Sequence, residues 1–256
     1  MPNLDSHAPG SFCWMELATT DATAAKKFYN GLFGWTPDDT PMGPGGFYTL
    51  FKLDGRDAAA MYEQMPDQRA QGIPPNWMIY MATENADSTV AQAKALGFTV
   101  YAGPFDVMDK GRMAIVADPQ GATFGVWQPM SHIGIGIAGV PGTFCWGELA
   151  AADVAAAADL YGKLFGWTFK PSPDYTEIVN GGSSIGGMMA LNPEWKAPPH
   201  WGGYFLVANC DASTDKAKSL GGTLLMGPMD IPSTGRFSVV NDPQGATFML
   251  FQPAGA

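Results

Sequence analysis

Cysteine and histidine are scarce in this sequence, and neither is spaced as it would be at a typical metal site. The cysteines form an odd-numbered set without a C-x-x-C pair: Cys13, Cys145 and Cys210. This spacing argues against a disulfide framework and a zinc knuckle, and indicates reduced, mostly buried thiols. The three histidines are His7, His132 and His200. No two of them occupy matching places in the repeat described below, so a histidine-based metal site is not expected.

Basic residues are also few, with 14 Lys and Arg against 24 Asp and Glu, for a formal net charge of −10. A chain this acidic repels a phosphate backbone, so no nucleic-acid partner is expected. No apolar run approaches the ~20 residues of a membrane span, and the N-terminus lacks the pattern of a signal peptide. We therefore expect no membrane partner and a cytoplasmic location. The 46% hydrophobic content indicates packed cores.

The sequence is an internal duplication. FCWMEL and FYNGLFGW of the first half return as FCWGEL and LYGKLFGW, at an offset of 132. The later motifs, GR followed by DPQGATF, recur at an offset of 124, so the second copy has lost eight residues in between. We predict one domain over residues 8–130, a Gly-rich linker over 131–142 and a second domain over 143–254.

Each half also contains a weaker internal repeat. A strand over Phe12–Leu17 precedes a helix that Thr20 or Asp21 can cap and that Gly34 ends. Strands over 47–53 and 57–62 follow, and the pattern restarts with a strand over 77–82, a helix over 86–96 and strands over 113–116 and 123–127. Each half is therefore interpreted as two β-α-β-β-β modules.

This architecture resembles the vicinal oxygen chelate superfamily, the group of glyoxalases, bleomycin-resistance proteins and extradiol dioxygenases. The resemblance rests on four βαβββ modules, the FYxxLFGW helix signature and a DPxG turn that occurs twice. The W-x-E-L strands and paired GR and DPQGA motifs are similar to an actinobacterial subgroup labelled as hydroxylases or as the 27 kDa antigen family. The resemblance implies an α+β fold in which each half forms a cup-shaped sheet with helices outside and a ligand or metal site in the hollow.

Metal-using members of this family place ligands about seven residues before the Asp that opens the first helix and seven after the Asp of DPxG. The corresponding residues here are Trp14, Trp146, Gly125 and Met249, and the comparable places on the fifth strand fall near Met78 and Gly202. None of these side chains is an imidazole, carboxylate or thiolate donor. We therefore expect no metal and no cofactor, although a set drawn from Glu16, Glu148 and His200 stays open.

Strand alternation places other residues beside these positions. Phe12, Trp14 and Glu16 are expected on one face of the first strand, and Phe144, Trp146 and Glu148 on that of its counterpart. The expected lining also includes Tyr80, Tyr204, Trp127 and Phe251, with His200 at a rigid lip. Such a lining suits flat apolar or cationic molecules, but the same aromatics can simply fill the cup.

Glu16 and Glu148 have two interpretations, because a carboxylate facing an apolar hollow needs a partner or a role. In one, each pairs with the arginine of its own half, Arg112 or Arg236, as a buried ion pair. In the other, each is a general base, and the arginine holds a substrate carboxylate or oxyanion. The DPQG turns are read as structural.

Three functional hypotheses follow. The chain is a metal-free binding module for an aromatic or cationic molecule in one or both cups, or an enzyme of glyoxalase-like isomerase, lyase or hydroxylase type. Alternatively, one half retains the pocket and the other is a structural partner. No G-x-G-x-x-G or Walker motif is present to hold a nucleotide. A monomer with internal pseudo-twofold symmetry and a homodimer are both compatible with the duplication.

Overall fold

Two eight-stranded sheets, one from each half of the chain, make up the fold. The computed structural model describes residues 3–43 and 46–255. The first half contains β1 Phe12–Thr19, α1 Ala22–Phe33, β2 Thr36–Pro41, β3 Phe47–Leu53, β4 Arg56–Glu63, α2 Pro66–Ala70, β5 Asn76–Ala82, α3 Ala86–Ala95, β6 Thr99–Val107, β7 Gly111–Ala117 and β8 Thr123–Pro129. The second half contains β9 Phe144–Ala151, α4 Val154–Phe165, β10 Thr168–Pro171, β11 Thr176–Asn180, β12 Ser183–Ala190, a 3₁₀ turn over Pro193–Trp195, β13 His200–Leu206, α5 Cys210–Ser219, β14 Thr223–Ile231, β15 Gly235–Asn241 and β16 Thr247–Pro253.

The two sheets have the same strand order. The first runs β2-β3-β4-β1-β5-β8-β7-β6 and the second β10-β11-β12-β9-β13-β16-β15-β14. In each sheet the opening strands of the two modules lie side by side and antiparallel, as β1 with β5 and β9 with β13. The modules of one half therefore meet at the centre of one sheet. The expected α+β fold with two tandem cups is confirmed.

The helices begin and end where the sequence motifs predict. The Asp21 carboxylate accepts a hydrogen bond from the Ala24 amide and caps α1, and Asp153 does the same for α4. Gly34 and Gly166 end these helices in the left-handed conformation, with φ of 74° and 71°. No helix in the described ranges is long and apolar enough to cross a membrane.

The two halves share one continuous hydrophobic core. Helix α1 contacts α5 of the other half, and α3 contacts α4. Aromatic rings complete the interface: Phe33 lies 5.2 Å from Phe205, and Phe12 lies 5.5 Å from Trp201, between ring centroids. The chain between the sheets belongs to the same core, because Ile135 and Ile137 are both buried.

The DPQG turns do more than reverse the chain, since their aspartates bind the opposite half. Tyr29 on α1 donates to Asp242 Oδ2 at 2.9 Å and accepts from Trp77 Nε1 at 3.0 Å. The reciprocal chain runs from Trp201 through Tyr161 to Asp118, at 3.0 and 3.1 Å. Both aspartates are buried. The expectation that these turns serve only as turns was incomplete.

Candidate functional site

Glu16 lies at the centre of a hydrogen-bonded cluster on the hollow face of the first sheet. Tyr48 donates to Glu16 Oε2 at 2.7 Å, and Tyr80 donates to Oε1 at 2.8 Å. The indole Nε1 of Trp14 donates in turn to the Tyr48 hydroxyl at 3.1 Å. Each carboxylate oxygen therefore has a phenolic donor, and the indole fixes one of the phenols.

The second sheet repeats this cluster around Glu148. Tyr175 donates to Glu148 Oε2 and Tyr204 to Oε1, both at 2.8 Å. Trp146 Nε1 donates to the Tyr175 hydroxyl at 2.8 Å. Three strands position these groups, because Trp146 and Glu148 come from β9 and Tyr204 from β13, while Tyr175 directly precedes β11. The structure thus brings together six of the predicted site residues: Trp14, Glu16 and Tyr80 in the first half, and Trp146, Glu148 and Tyr204 in the second.

The electrostatics of the two clusters are alike. Burial raises the pKa of Glu16 and of Glu148 above the ordinary carboxyl value, while the tyrosine hydrogen bonds oppose that shift. Burial and the neighbouring carboxylate raise the pKa of Tyr48 and Tyr80 well above that of a free phenol. The phenols therefore stay protonated as donors. A carboxyl group in this setting can attract a cation or accept a proton from a bound molecule.

Tyr48 and Tyr175 were missed by the sequence reasoning. They are 127 positions apart, between the two motif offsets of 132 and 124, and each is followed by threonine. The recurrence of a Tyr-Thr pair at this offset was the sequence signal that could have identified them. Gly187 is part of the same arrangement, because a Cβ atom there would lie 2.1 Å from the Tyr175 hydroxyl oxygen.

Phe12 and Phe144 do not line the hollow, contrary to the expected alternation. The β1–β5 register shifts between Phe12 and Trp14, and the β9–β13 register shifts at the corresponding place. An extra residue in one strand reverses the face of every residue beyond it. Phe12 consequently packs between the halves, 6.0 Å from Phe144 and 5.7 Å from Trp167 between ring centroids.

The expected pairing of each glutamate with an arginine is wrong. Arg112 binds Asp87 of α3 through Nε and Nη2, at 2.7 and 2.9 Å, and Asp106 through Nη1 at 2.8 Å. Arg236 makes the equivalent contacts with Asp211 and Asp230. Both arginines therefore point to the helix side of the sheet. They are therefore positioned neither to pair with a glutamate nor to hold a ligand in the hollow, so both alternatives for the arginines are wrong.

The reason lies in the register of the last strands. Arg112 pairs with Gln128, whereas the next residue, Met113, pairs with Trp127. Gln128 Oε1 accepts from the Ala86 amide at the start of α3, which fixes that face as the helix side. Trp127 and Met113 therefore face the hollow. The second half places Phe251 and Phe237 in the same two positions, and the Phe237 ring lies 6.3 Å from that of Tyr204.

The residues at the family's metal-ligand positions do not fit a divalent metal. Trp14 and Met78 carry no suitable donor, and the space over Gly125 is filled by the Tyr80 ring, which would lie 2.1 Å from an added Cβ atom. In the second half, Met249 covers Gly202 in a similar way. Among residues 3–43 and 46–255, no three His, Cys, Asp or Glu side chains are grouped as a metal would require.

His200 lies on the hollow face of β13, two residues before Gly202 and four before Tyr204. Its Nδ1 is 2.8 Å from the Pro198 carbonyl oxygen. A positive charge on this ring acts with the two tyrosines to lower the pKa of Glu148, against the larger effect of burial. The first half has Asn76 at this place, so this strand position carries an imidazole in the second cup alone.

A sequence profile described as the glyoxalase/bleomycin resistance protein/dioxygenase superfamily matches the chain twice, over residues 11–126 and 135–250. The chain belongs to this superfamily. Among curated proteins, the superfamily member provisionally named glyoxylase CFP32 of Mycobacterium tuberculosis is 39% identical over 260 residues, covering 99% of both chains. The anthracycline biosynthesis protein DnrV of Streptomyces peucetius is 34% identical, covering 96% of this chain and 94% of its own.

Solved structures of the superfamily share the fold at low sequence identity. The Mn(II)-bound glyoxalase of Novosphingobium aromaticivorans aligns with a TM-score of 0.69 at 14% identity, covering 98% of this chain and 83% of the glyoxalase. A likeness at this identity establishes the arrangement of strands and helices. The chemistry of the hollow depends on the residues present in this chain.

Proposed function

We propose that this superfamily member binds a small aromatic or cationic organic molecule in an aromatic-lined cup, without a divalent metal at the family's ligand positions. One observation carries the proposal: a carboxylate lies on the hollow face of each sheet, held by two tyrosine hydroxyls and flanked by an indole. Aromatic faces attract flat rings and cations, and the carboxylate adds a preference for positive charge.

The relatives offer further support. DnrV is named for anthracycline biosynthesis, and anthracyclines are polycyclic aromatic compounds. A flat ring system of that kind matches a hollow lined by indole and phenol side chains. The chemistry of the ligand positions points the same way, because indole, thioether and glycine replace the donors that a metal would need.

Calorimetric titration with two flat probes tests this function. Proflavine is a cation at neutral pH, whereas acridone has a similar shape and no charge. We expect both to bind and proflavine to bind at least about tenfold more tightly, because only the cation interacts with the carboxylate. Prior treatment with a chelator is expected to leave both affinities unchanged. A wild-type protein that binds neither probe, or that binds only after metal is added, would contradict the proposal.

Glu148→Gln is the informative variant, because it removes the charge and retains the shape. It is expected to weaken proflavine binding about tenfold and to change acridone binding little. Glu177→Gln is the matched control, since Glu177 lies on β11 of the same sheet and binds Ser184 and Lys170 instead of the cluster. Equal losses in the two variants would show that general acidity, not the cluster, attracts the cation.

A second candidate function is proton transfer by Glu148. It is favoured by the raised pKa of this carboxyl and by the presence of His200 on the same face. NMR in deuterated buffer can follow exchange of the proton next to the carbonyl in a panel of α-hydroxy and α-keto compounds. Protein-dependent exchange that Glu148→Gln abolishes would establish the enzyme. Exchange that the variant retains would eliminate Glu148 as the base.

A further inference from the structure

The two cups have the same central cluster but different mouths. In the first cup, Trp14 and Trp127 are only 5% and 7% exposed. Their counterparts in the second cup, Trp146 and Phe251, are both partly exposed. Because the clusters beneath them are alike, the difference arises from what covers the first cup.

The cover is a segment of the chain that joins the two halves. Residues 131–136, which we call the strap, cross one end of the first sheet from β7 to β4. The His132 amide donates to the Lys110 carbonyl at 3.1 Å, the Ile135 amide to Cys13 at 2.7 Å, and the Gly136 amide to Asp57 at 2.8 Å. Backbone hydrogen bonds at three points along the crossing hold the strap in a defined position.

His132 is the strap residue that meets the aromatic lining. Its ring lies edge-on to Trp14, with 4.8 Å between ring centroids, and 6.2 Å from the ring of Trp127. Trp127 Nε1 donates to the His132 carbonyl at 3.0 Å, and His132 Nε2 lies 3.3 Å from Asp57 Oδ2. A planar nitrogen heterocycle thus packs against Trp14 in the space that an aromatic ligand would use.

Gly134 shows that the strap is fitted closely to the sheet. Its φ of +103° is unfavourable for other residues, and a Cβ atom there would lie 2.1 Å from the Cys13 carbonyl oxygen. Only glycine allows this approach. The close contact explains how a short segment reaches from the rim of β7 to the start of β4 while passing directly over β1.

The mouth of the second cup is more exposed to solvent, since Trp146 and Phe251 are both partly accessible. Within the described part of the chain, no paired ring covers Trp146, in contrast to the His132–Trp14 pair. Met249 fills the space over Gly202, and His200 stands where the first cup has Asn76. The second mouth therefore presents an indole, a carboxylate and an imidazole to one space.

We infer that the strap is a built-in occupant of the first cup, so that the chain holds one ligand, in the second cup, against Trp146 and Glu148. The inference rests on the proposed binding function and adds its stoichiometry and its location. It also narrows the ligand class to planar aromatic nitrogen compounds, because the imidazole of His132 already fills the equivalent place over Trp14.

Calorimetry with proflavine measures the number of sites. The wild-type chain is expected to bind one proflavine, and Glu148→Gln to weaken that binding about tenfold. His132→Ala and Gly134→Ala dislodge the strap in different ways, and each is expected to raise the stoichiometry toward two. Two wild-type sites of similar affinity, or proflavine binding that Glu148→Gln leaves intact, would overturn the inference.

A measurement without ligand tests whether the strap closes the first cup, independently of whether the second cup binds a ligand. In protein labelled with 5-fluorotryptophan, the ¹⁹F signals of Trp14 and Trp146 are assigned with Trp→Phe variants. The Trp146 signal is expected to shift between H₂O and D₂O and the Trp14 signal to stay fixed until His132→Ala exposes it. Equal shifts in the wild type would refute closure of the first cup. If the two signals shift unequally but neither proflavine nor acridone binds in the calorimetry, only the proposed binding function is refuted.

Discussion

The hydrogen bonds that link Trp77, Tyr29 and Asp242 hold the two halves together, and a substitution of Tyr29 tests their contribution to stability. The Tyr29 hydroxyl donates to the Asp242 carboxylate and accepts from the Trp77 indole, and all three side chains are buried. Tyr29→Phe removes one oxygen atom and leaves the ring packing unchanged. The substitution therefore isolates the hydrogen bonds from the aromatic contacts around them.

The size of the effect follows from the two bonds. A hydrogen bond to a charged group contributes roughly 1.5–3 kcal/mol, and leaving a buried N–H without an acceptor costs about 1–3 kcal/mol. Asp242 keeps the amides of Gln244 and Ala246 as donors to Oδ1, which limits the loss. We expect Tyr29→Phe to lower the free energy of unfolding by about 3 kcal/mol, and the midpoint of thermal unfolding by roughly 6–12 °C.

Urea unfolding followed by circular dichroism measures the change, with Tyr101→Phe as the control. Tyr101 is 65% exposed on the edge strand β6, so the same chemical change there is expected to cost less than about 0.5 kcal/mol. Tyr161→Phe is expected to match Tyr29→Phe, since it breaks the reciprocal chain to Asp118. A Tyr29→Phe variant as stable as Tyr101→Phe would refute the role of these aspartates in joining the halves.

Two further predictions concern the clusters. Gly125→Ala places a Cβ atom 2.1 Å from Cδ1 of Tyr80, so we expect the free energy of unfolding in urea to fall by roughly 1–3 kcal/mol. Gly136→Ala is the control, because the nearest neighbours of a Cβ atom there lie at 3.6 Å or more. Equal losses of stability in the two variants would contradict the prediction. Because burial raises the pKa of Glu16, its contribution to stability is full below the unfolded-state pKa and is lost as pH rises through the folded-state pKa. Glu16→Gln should therefore gain stability relative to the wild type as the pH rises above the unfolded-state carboxyl pKa of about 4. Urea titrations across this range measure the gain, and a parallel pH dependence of the two proteins would refute it.

The repeat made most of the fold predictable. The helix signature and the DPQG turn each occur twice, which fixed the two halves and the order of their elements. The helix caps at Asp21 and Asp153 and the glycine ends at Gly34 and Gly166 lie where local chemistry requires them. Strands β2 and β6 were not bounded in advance, because both are edge strands with many exposed residues and little apolar alternation.

The candidate site was only partly predictable, because its geometry depends on register. Alternation from Phe12 identified Trp14 and Glu16, but the bulge between Phe12 and Trp14 moved Phe12 to the other face. Charge alone suggested Arg112 as the partner of Glu16, yet pairing of Arg112 with Gln128 turned it toward the aspartate of α3. Bulges and cross-strand pairing are long-range properties that a single strand sequence does not contain.

Duplication imposes different constraints on the interface and on the cups. The contacts between the halves are reciprocal, so each copy must keep both a tyrosine on its first helix and an aspartate in its last turn. A linker, by contrast, joins the end of one copy to the start of the other and occurs once between them. Any contact that it makes with a cup therefore breaks the symmetry. His132 makes such a contact with Trp14, which gives a physical reason why two halves of equal fold are proposed to bind unequally.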